Sequence, residues 1–172
     1  MDGKKARVND HVMQGLPVNR LNISGDNVYF TFSAMSHLFT YGSLMFDQVW
    51  SLLINHDYQR SYGILNGFIR KAVINEHYPV VFRTSDTDRV EGLLYYNLRD
   101  ADFRKLDAFE GEFYRRQQET IVLPQGLEID AEVYVLKNSY LHIASEHAWD
   151  PDRFLQEGMR LFIDHYFGFN NR

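Results

Sequence analysis

From His37 to Phe167 the apolar residues fall into short periodic runs whose period changes several times. Leu38-Phe39-Thr40-Tyr41-Gly42-Ser43-Leu44 reads as a short strand ending at a Gly-Ser turn. Phe46 to Asn55 has helical spacing, with Val49, Trp50, Leu53 and Ile54 on one side. Ser61 to Ile74 mixes Gly63 and Gly67 with β-branched and aromatic residues, the pattern of one or two strands bent by glycine. Tyr78-Pro79 makes a turn, Val80 to Phe82 extends again, and Arg89 to Leu98 alternates as a strand does. The period then switches: Asp100 is placed to cap a helix carrying Phe103, Leu106 and Phe109, and Gly111 is placed to end it. Tyr114 to Leu123 and Leu127 to Leu136 are strands again, and Pro124-Gln125-Gly126 is short enough to make them a hairpin. Tyr140 to Trp149 has no clear period and is assigned a structural role. In the last helix Asp150 is the cap, Pro151 the first residue, Phe154, Leu155, Met159, Phe162, Ile163 and Tyr166 an apolar stripe, and Gly168 the stop.

Strands outnumber helices and do not alternate regularly with them, so the expected class is α+β with a largely antiparallel, curved sheet. Residues 1–34 differ from the rest: they are polar, rich in Asn, Asp and Gly, and only Val28 to Phe32 reads as a strand. They are expected to be a weakly ordered extension, with the domain over 35–172 and Met35 as a possible natural start.

At 172 residues the chain is long enough for one domain with a full core. Its 13 Phe and 11 Tyr exclude a disordered chain. Lys and Arg number 18 against 23 Asp and Glu, a net charge of −5, which argues against a nucleic-acid partner or an anionic membrane surface. There is no cysteine, hence no disulfide, thiolate nucleophile or Cys-based metal site. With no signal peptide or spanning segment in the pattern, a cytoplasmic protein is expected.

Most familiar catalytic patterns are missing. No phosphate-binding loop, dinucleotide fingerprint or zinc-protease helix occurs, and Ser43 follows Gly42 without the second glycine of a nucleophile elbow. None of the seven histidines stands four residues from another on a helix face, so neither metal nor cofactor is expected. Two segments remain. Tyr41-Gly42-Ser43-Leu44 puts consecutive backbone N–H groups where a strand becomes a loop, a place where they can converge on an anion. Leu106-Asp107-Ala108-Phe109-Glu110-Gly111-Glu112-Phe113-Tyr114-Arg115-Arg116 puts a carboxylate at a helix end, where the dipole disfavours it, beside a glycine turn. A residue that breaks a local rule in such a position is a candidate for function.

Taken together these segments resemble the gamma-glutamylcyclotransferase-like superfamily, and more closely its avirulence-induced-gene-like branch. Members carry Tyr-Gly-Ser/Thr-Leu after their first strand and later Leu-Asp-x-x-Glu-Gly-x-x-Tyr-x-Arg. Tyr41 to Leu44 match the first motif, and Leu106, Asp107, Glu110, Gly111, Tyr114 and Arg116 match the second in register. His77-Tyr78-Pro79-Val80 and Glu91-Gly92-Leu93-Leu94-Tyr95 resemble the middle segments.

The resemblance implies a small mixed-strand β-barrel flanked by helices, and an enzyme that releases 5-oxoproline from a small gamma-glutamyl substrate. It makes Glu110 the general acid/base and Tyr41, Gly42, Ser43, Leu44 and Tyr114 the substrate-binding residues, with Arg116 and Tyr78 in support. Many relatives have a Glu directly before the later Tyr; here Phe113 stands there and Glu112 one residue earlier, which leaves Glu110 as the acid/base. The alternative is a non-catalytic module for a small molecule or protein on the same fold.

Overall fold

The short run Ser36–Thr40 forms strand β1, and it is the keystone of the architecture in the computed structural model, which describes residues 36–167. Seven more strands follow: β2 (Arg60–Asn66), β3 (Phe68–Val73), β4 (Pro79–Arg83), β5 (Arg89–Leu98), β6 (Tyr114–Val122), β7 (Glu128–Leu136) and β8 (Ala144–Ala148). Five of them close a barrel in the order β1-β5-β2-β6-β7, while β4-β3-β8 form a separate sheet. Every barrel pairing is antiparallel except β1 with β7, where Leu38 lies opposite Glu132 and Phe39 opposite Val133. One parallel seam closes the ring, giving the mixed barrel expected. The Ser61–Ile74 run divides at Gly67 into two strands that belong to different sheets.

Strand alternation sorts the core into two layers. Phe39, Leu65, Leu94, Ile121, Ala131 and Val133 form one cluster. The neighbouring positions Leu38, Tyr95, Tyr134 and Leu136 belong to the other, together with Val49, Trp50, Phe103, Leu106 and Phe162 from the helices. The second set is therefore the outer face of the barrel under its helices, and the first fills the inside. Helix α1 (Asp47–Leu53) buries Val49 and Trp50, and Trp50 stacks on Tyr95 with centroids 3.9 Å apart.

Helix α2 (Asp100–Glu110) buries Phe103 and Leu106 as its spacing predicts. Its start differs from expectation: Arg99 is the cap position and Asp100 the first helical residue, with no side-chain cap bond. Asp100 and Asp102 instead complement the helix dipole from inside the first turn, and Asp102 also accepts the Tyr58 hydroxyl at 2.7 Å. At the other end Gly111 adopts φ 68 and its N–H returns to the Asp107 carbonyl, a left-handed stop that glycine enters without strain.

Asp150 caps the last helical segment, accepting from the N–H groups of Asp152 and Arg153, and Pro151 opens α3 (Pro151–Arg153). The stripe that follows is not purely α-helical. Phe154–Gly158 is a π-turn before α4 (Met159–Phe167), and its wider winding shifts the phase of the stripe. Phe154, Met159 and Phe162 are buried as expected, but Leu155 turns outward at 47% exposure. Residues 140–149, aperiodic in sequence, form a 3-10 turn (Asn138–Ile143) and the short polar strand β8, which pairs with β3. Leu127 lies before β7, not within it. The extension 1–34, its Val28–Phe32 strand, the Met35 start, the Tyr166 side chain and Gly168 lie outside the described residues. Among the described residues no helix is long and apolar enough to cross a membrane.

Candidate functional site

Because β1 runs parallel to β7 and β7 antiparallel to β6, the segment that leaves β1 and the last turn of the helix that leads into β6 lie at the same end of the barrel. β1 ends at Thr40, and Tyr41 and Gly42 lead into a single 3-10 turn, Ser43–Met45. The first turn bond runs from Met45 N to the Gly42 carbonyl at 3.0 Å, so the N–H groups of Gly42, Ser43 and Leu44 precede it and have no partner within the turn. A Cβ on Gly42 would stand 2.7 Å from Cγ of Pro79 and 2.9 Å from its Cδ. The Pro79 ring fills the space where a side chain would be, so only glycine fits there. Tyr114, the first residue of β6, donates its hydroxyl to the Pro79 carbonyl at 3.1 Å and holds that ring in place.

Facing this loop is a pocket of about 200 Å³ whose lining includes Tyr41, Gly42, Ser43, Leu44, Tyr78, Glu110, Tyr114 and Tyr134. Of the residues singled out in the sequence, those from the loop, Tyr78, Glu110 and Tyr114 thus meet around one cavity. Glu112 also lines it, with Phe109, Phe113 and Phe162 supplying an aromatic wall. In that wall the Phe162 ring meets Phe109 edge-on at 6.2 Å and Tyr78 at 6.0 Å.

Glu110 ends α2. As a whole residue it is half-buried, yet its carboxyl is packed round by protein, and that desolvation, with the nearby charge of Asp107 second, pushes its pKa from 4.5 up to about 8. No described residue donates a hydrogen bond to it, and no buried side-chain oxygen among the described residues lacks a partner. Its carboxyl oxygens therefore face the cavity. The loop side responds to the same group: burial and then the Glu110 charge raise the Tyr41 phenol well above its usual value.

Arg116 lies outside the pocket lining. Its guanidinium forks onto Asp107, Nε to Oδ1 at 2.8 Å and Nη2 to Oδ2 at 3.2 Å, and it covers the Phe103 ring at 4.7 Å. It reaches the site through Asp107 and by its charge near Tyr134, and it also pairs with Glu132 at 3.7 Å. Two residues that sequence reasoning did not single out join the halves of the site. Tyr134 accepts the Tyr41 hydroxyl on its carbonyl at 2.6 Å and donates its own hydroxyl to Asp107 at 2.7 Å. Pro79 wedges the loop. Tyr134 sits in an ordinary alternating strand, and Pro79, expected in a turn, opens β4, so neither carries a local sign of its role. Among the described residues no three His, Asp or Glu side chains converge as metal ligands do.

The fold and the motifs have counterparts. Over 103 residues the chain is 33% identical to AIG2-like protein D of Arabidopsis thaliana, an alignment covering 59% of this chain and 67% of that protein. It is 30% identical over 102 residues to AIG2-like protein C of the same plant, covering 59% of each. A solved structure titled gamma-glutamyl cyclotransferase superposes with a TM-score of 0.53 at 18% identity, covering 60% of this chain and 67% of that one, a likeness of fold. Residues 38–151 match the family described as gamma-glutamyl cyclotransferase, AIG2-like, and the chain is a member of that family.

Proposed function

We propose that this protein is a gamma-glutamyl cyclotransferase in which Glu110 moves the protons. The observation that carries the reading is that the Glu110 carboxyl, which burial pushes up to about 8, lines one cavity with the Gly42 loop. Across that cavity stands the Gly42 turn, whose first backbone N–H groups have no partner within the turn.

The difficulty in cyclising a gamma-glutamyl amide is that the attacking α-amine arrives as an ammonium with a pKa near ~8. Against a free glutamate, proton transfer would be uphill by roughly 5 kcal/mol. Glu110 at about 8 brings the transfer close to balance. The carboxylate takes a proton from the ammonium, the freed amine attacks its own γ-carbonyl, and a carbon–nitrogen bond closes a five-membered ring. Collapse of the tetrahedral oxyanion breaks the bond to the leaving amine, which Glu110 protonates. Over the cycle, the two protons lost by the attacking nitrogen end on the leaving nitrogen, and no covalent enzyme intermediate forms.

Nucleophile and electrophile are one molecule, so the protein's other task is to hold the glutamyl unit in its ring-closing conformer. The N–H groups of Gly42, Ser43 and Leu44 suit its α-carboxylate, and the pocket's aromatic wall excludes water. The test is release of 5-oxoproline from a panel of gamma-glutamyl dipeptides, gamma-glutamyl-ε-lysine, glutathione and gamma-glutamyl polyamines. Turnover of one of them that vanishes in Glu110→Gln supports the assignment. Binding without turnover across the panel would make the protein a recognition module instead.

A further inference from the structure

We propose that Arg70 is the positioning residue that orients the main-chain donors of the Gly42 loop toward the substrate, an inference that rests on the cyclotransferase reading. Arg70 belongs to β3, in the three-stranded sheet and not the barrel. Its guanidinium nevertheless crosses to the barrel loop: Nη1 donates to the Tyr41 carbonyl at 2.8 Å and, more weakly, to the Glu91 carbonyl at 3.4 Å. The guanidinium lies over the Trp149 ring at 5.2 Å, and Trp149 donates Nε1–H to the His77 carbonyl at 2.8 Å.

Two consequences follow from peptide geometry. The Tyr41–Gly42 peptide is planar and trans, so a carbonyl held against Arg70 sends the Gly42 N–H the opposite way. Arg70 lies behind the loop, outside the pocket lining, so the opposite way is toward the cavity. The Tyr41 carbonyl also becomes the acceptor of a charge-assisted bond, which polarises the peptide and strengthens its N–H as a donor. Through Trp149 the same cation braces the His77 carbonyl, one residue before Tyr78 and two before Pro79, on the wall that wedges Gly42. A half-buried guanidinium whose hydrogen bonds go to carbonyls, with a ring below it and the Glu91 charge nearby, is an expensive way to fill space, and placing both sides of one loop accounts for it.

The substrate α-carboxylate is charged before and during reaction, so misplaced donors weaken ground and transition states alike and raise KM more than they lower kcat. Arg70→Met, which keeps the stem and removes the donors, is expected to raise KM for the best gamma-glutamyl substrate about tenfold. Its kcat should stay within about twofold, and the acid limb of the pH profile, set by Glu110, should not move. Arg70→Lys keeps one donor for the Tyr41 carbonyl and should fall between wild type and Arg70→Met. A folded Arg70→Met with wild-type KM overturns the proposal, as does a lowered kcat with a displaced acid limb, which would place Arg70 with Glu110 instead. If Arg70→Met does not fold, Arg70→Lys decides on the same terms: KM raised severalfold supports the role and an unchanged KM overturns it. Wild-type protein that releases 5-oxoproline from no substrate rejects the cyclotransferase reading and this role together. An active wild type with unaffected variants rejects this role alone.

Discussion

On the cyclotransferase proposal the pKa of Glu110 should set the shape of the pH profile, and Asp107 is the handle that should move it. The productive encounter needs the carboxylate of Glu110 and the ammonium of the substrate, and kcat/KM reports both in their free forms. With Glu110 at about 8 and the amine near ~8, kcat/KM should be a narrow bell centred close to pH 8, lower by roughly 25-fold at pH 6. An ordinary glutamate at 4.5 would give a plateau from about pH 5.5 to 7.5. Burial is the larger cause of the rise and the Asp107 charge the smaller. Asp107→Asn should therefore bring the acid limb down by less than half of the total, to between about 6 and 8. The Arg116 cation, left with Glu132 as its carboxylate partner, pushes in the same direction. Because the substrate amine is common to both enzymes, the difference between their acid limbs belongs to Glu110. The assay is initial-rate release of 5-oxoproline between pH 5.5 and 9.5, and Asp107→Asn should gain severalfold at pH 6 relative to its own maximum. A wild-type profile flat from pH 5.5 to 7.5, or an acid limb that Asp107→Asn leaves in place, refutes the reasoning.

Glu110→Gln should release no 5-oxoproline yet be the more stable protein. The unfolded carboxyl ionises near 4.5 and the folded one near 8, so between these values the native state binds more protons and stability falls as pH rises. Glutamine removes that cost, a gain of about 3 kcal/mol at pH 7 that should shrink toward zero below pH 4.5, measurable by urea unfolding at both pH values. Gly42→Ala drives a Cβ to 2.7 Å from the Pro79 ring, which is tied to the backbone and has little room to yield. The loop must shift, and KM should rise at least about tenfold in steady-state kinetics. Tyr114→Phe leaves the Pro79 carbonyl without its hydroxyl partner and should cost about 1 to 2 kcal/mol in denaturant unfolding.

Much of the barrel was legible because its strands alternate over a half-buried surface and its turns carry Gly and Pro at their corners. The helix starts were less so. Asp100 has the chemistry of a cap, but it stands inside the first turn, where the dipole accommodates it equally well. The phase of the last helix was lost at the π-turn, because one extra residue of winding leaves no mark on composition. Strand β8, Ala-Ser-Glu-His-Ala, has no apolar alternation to declare it and owes its form to the β3 edge it pairs with. At the site, Glu110 and the Gly42 turn were visible because each breaks a local habit. Tyr134, Pro79 and Arg70 break none, and their roles arise only when barrel closure and the second sheet bring distant segments into hydrogen-bond range.

The single parallel contact between β1 and β7 makes the barrel a hoop with no free stave. The donors follow β1 and the acid precedes β6, the two staves on either side of β7, and so they cannot drift apart while the ring is whole. Warming should therefore extinguish turnover and barrel circular dichroism at one temperature, with no range in which a closed but inactive form accumulates.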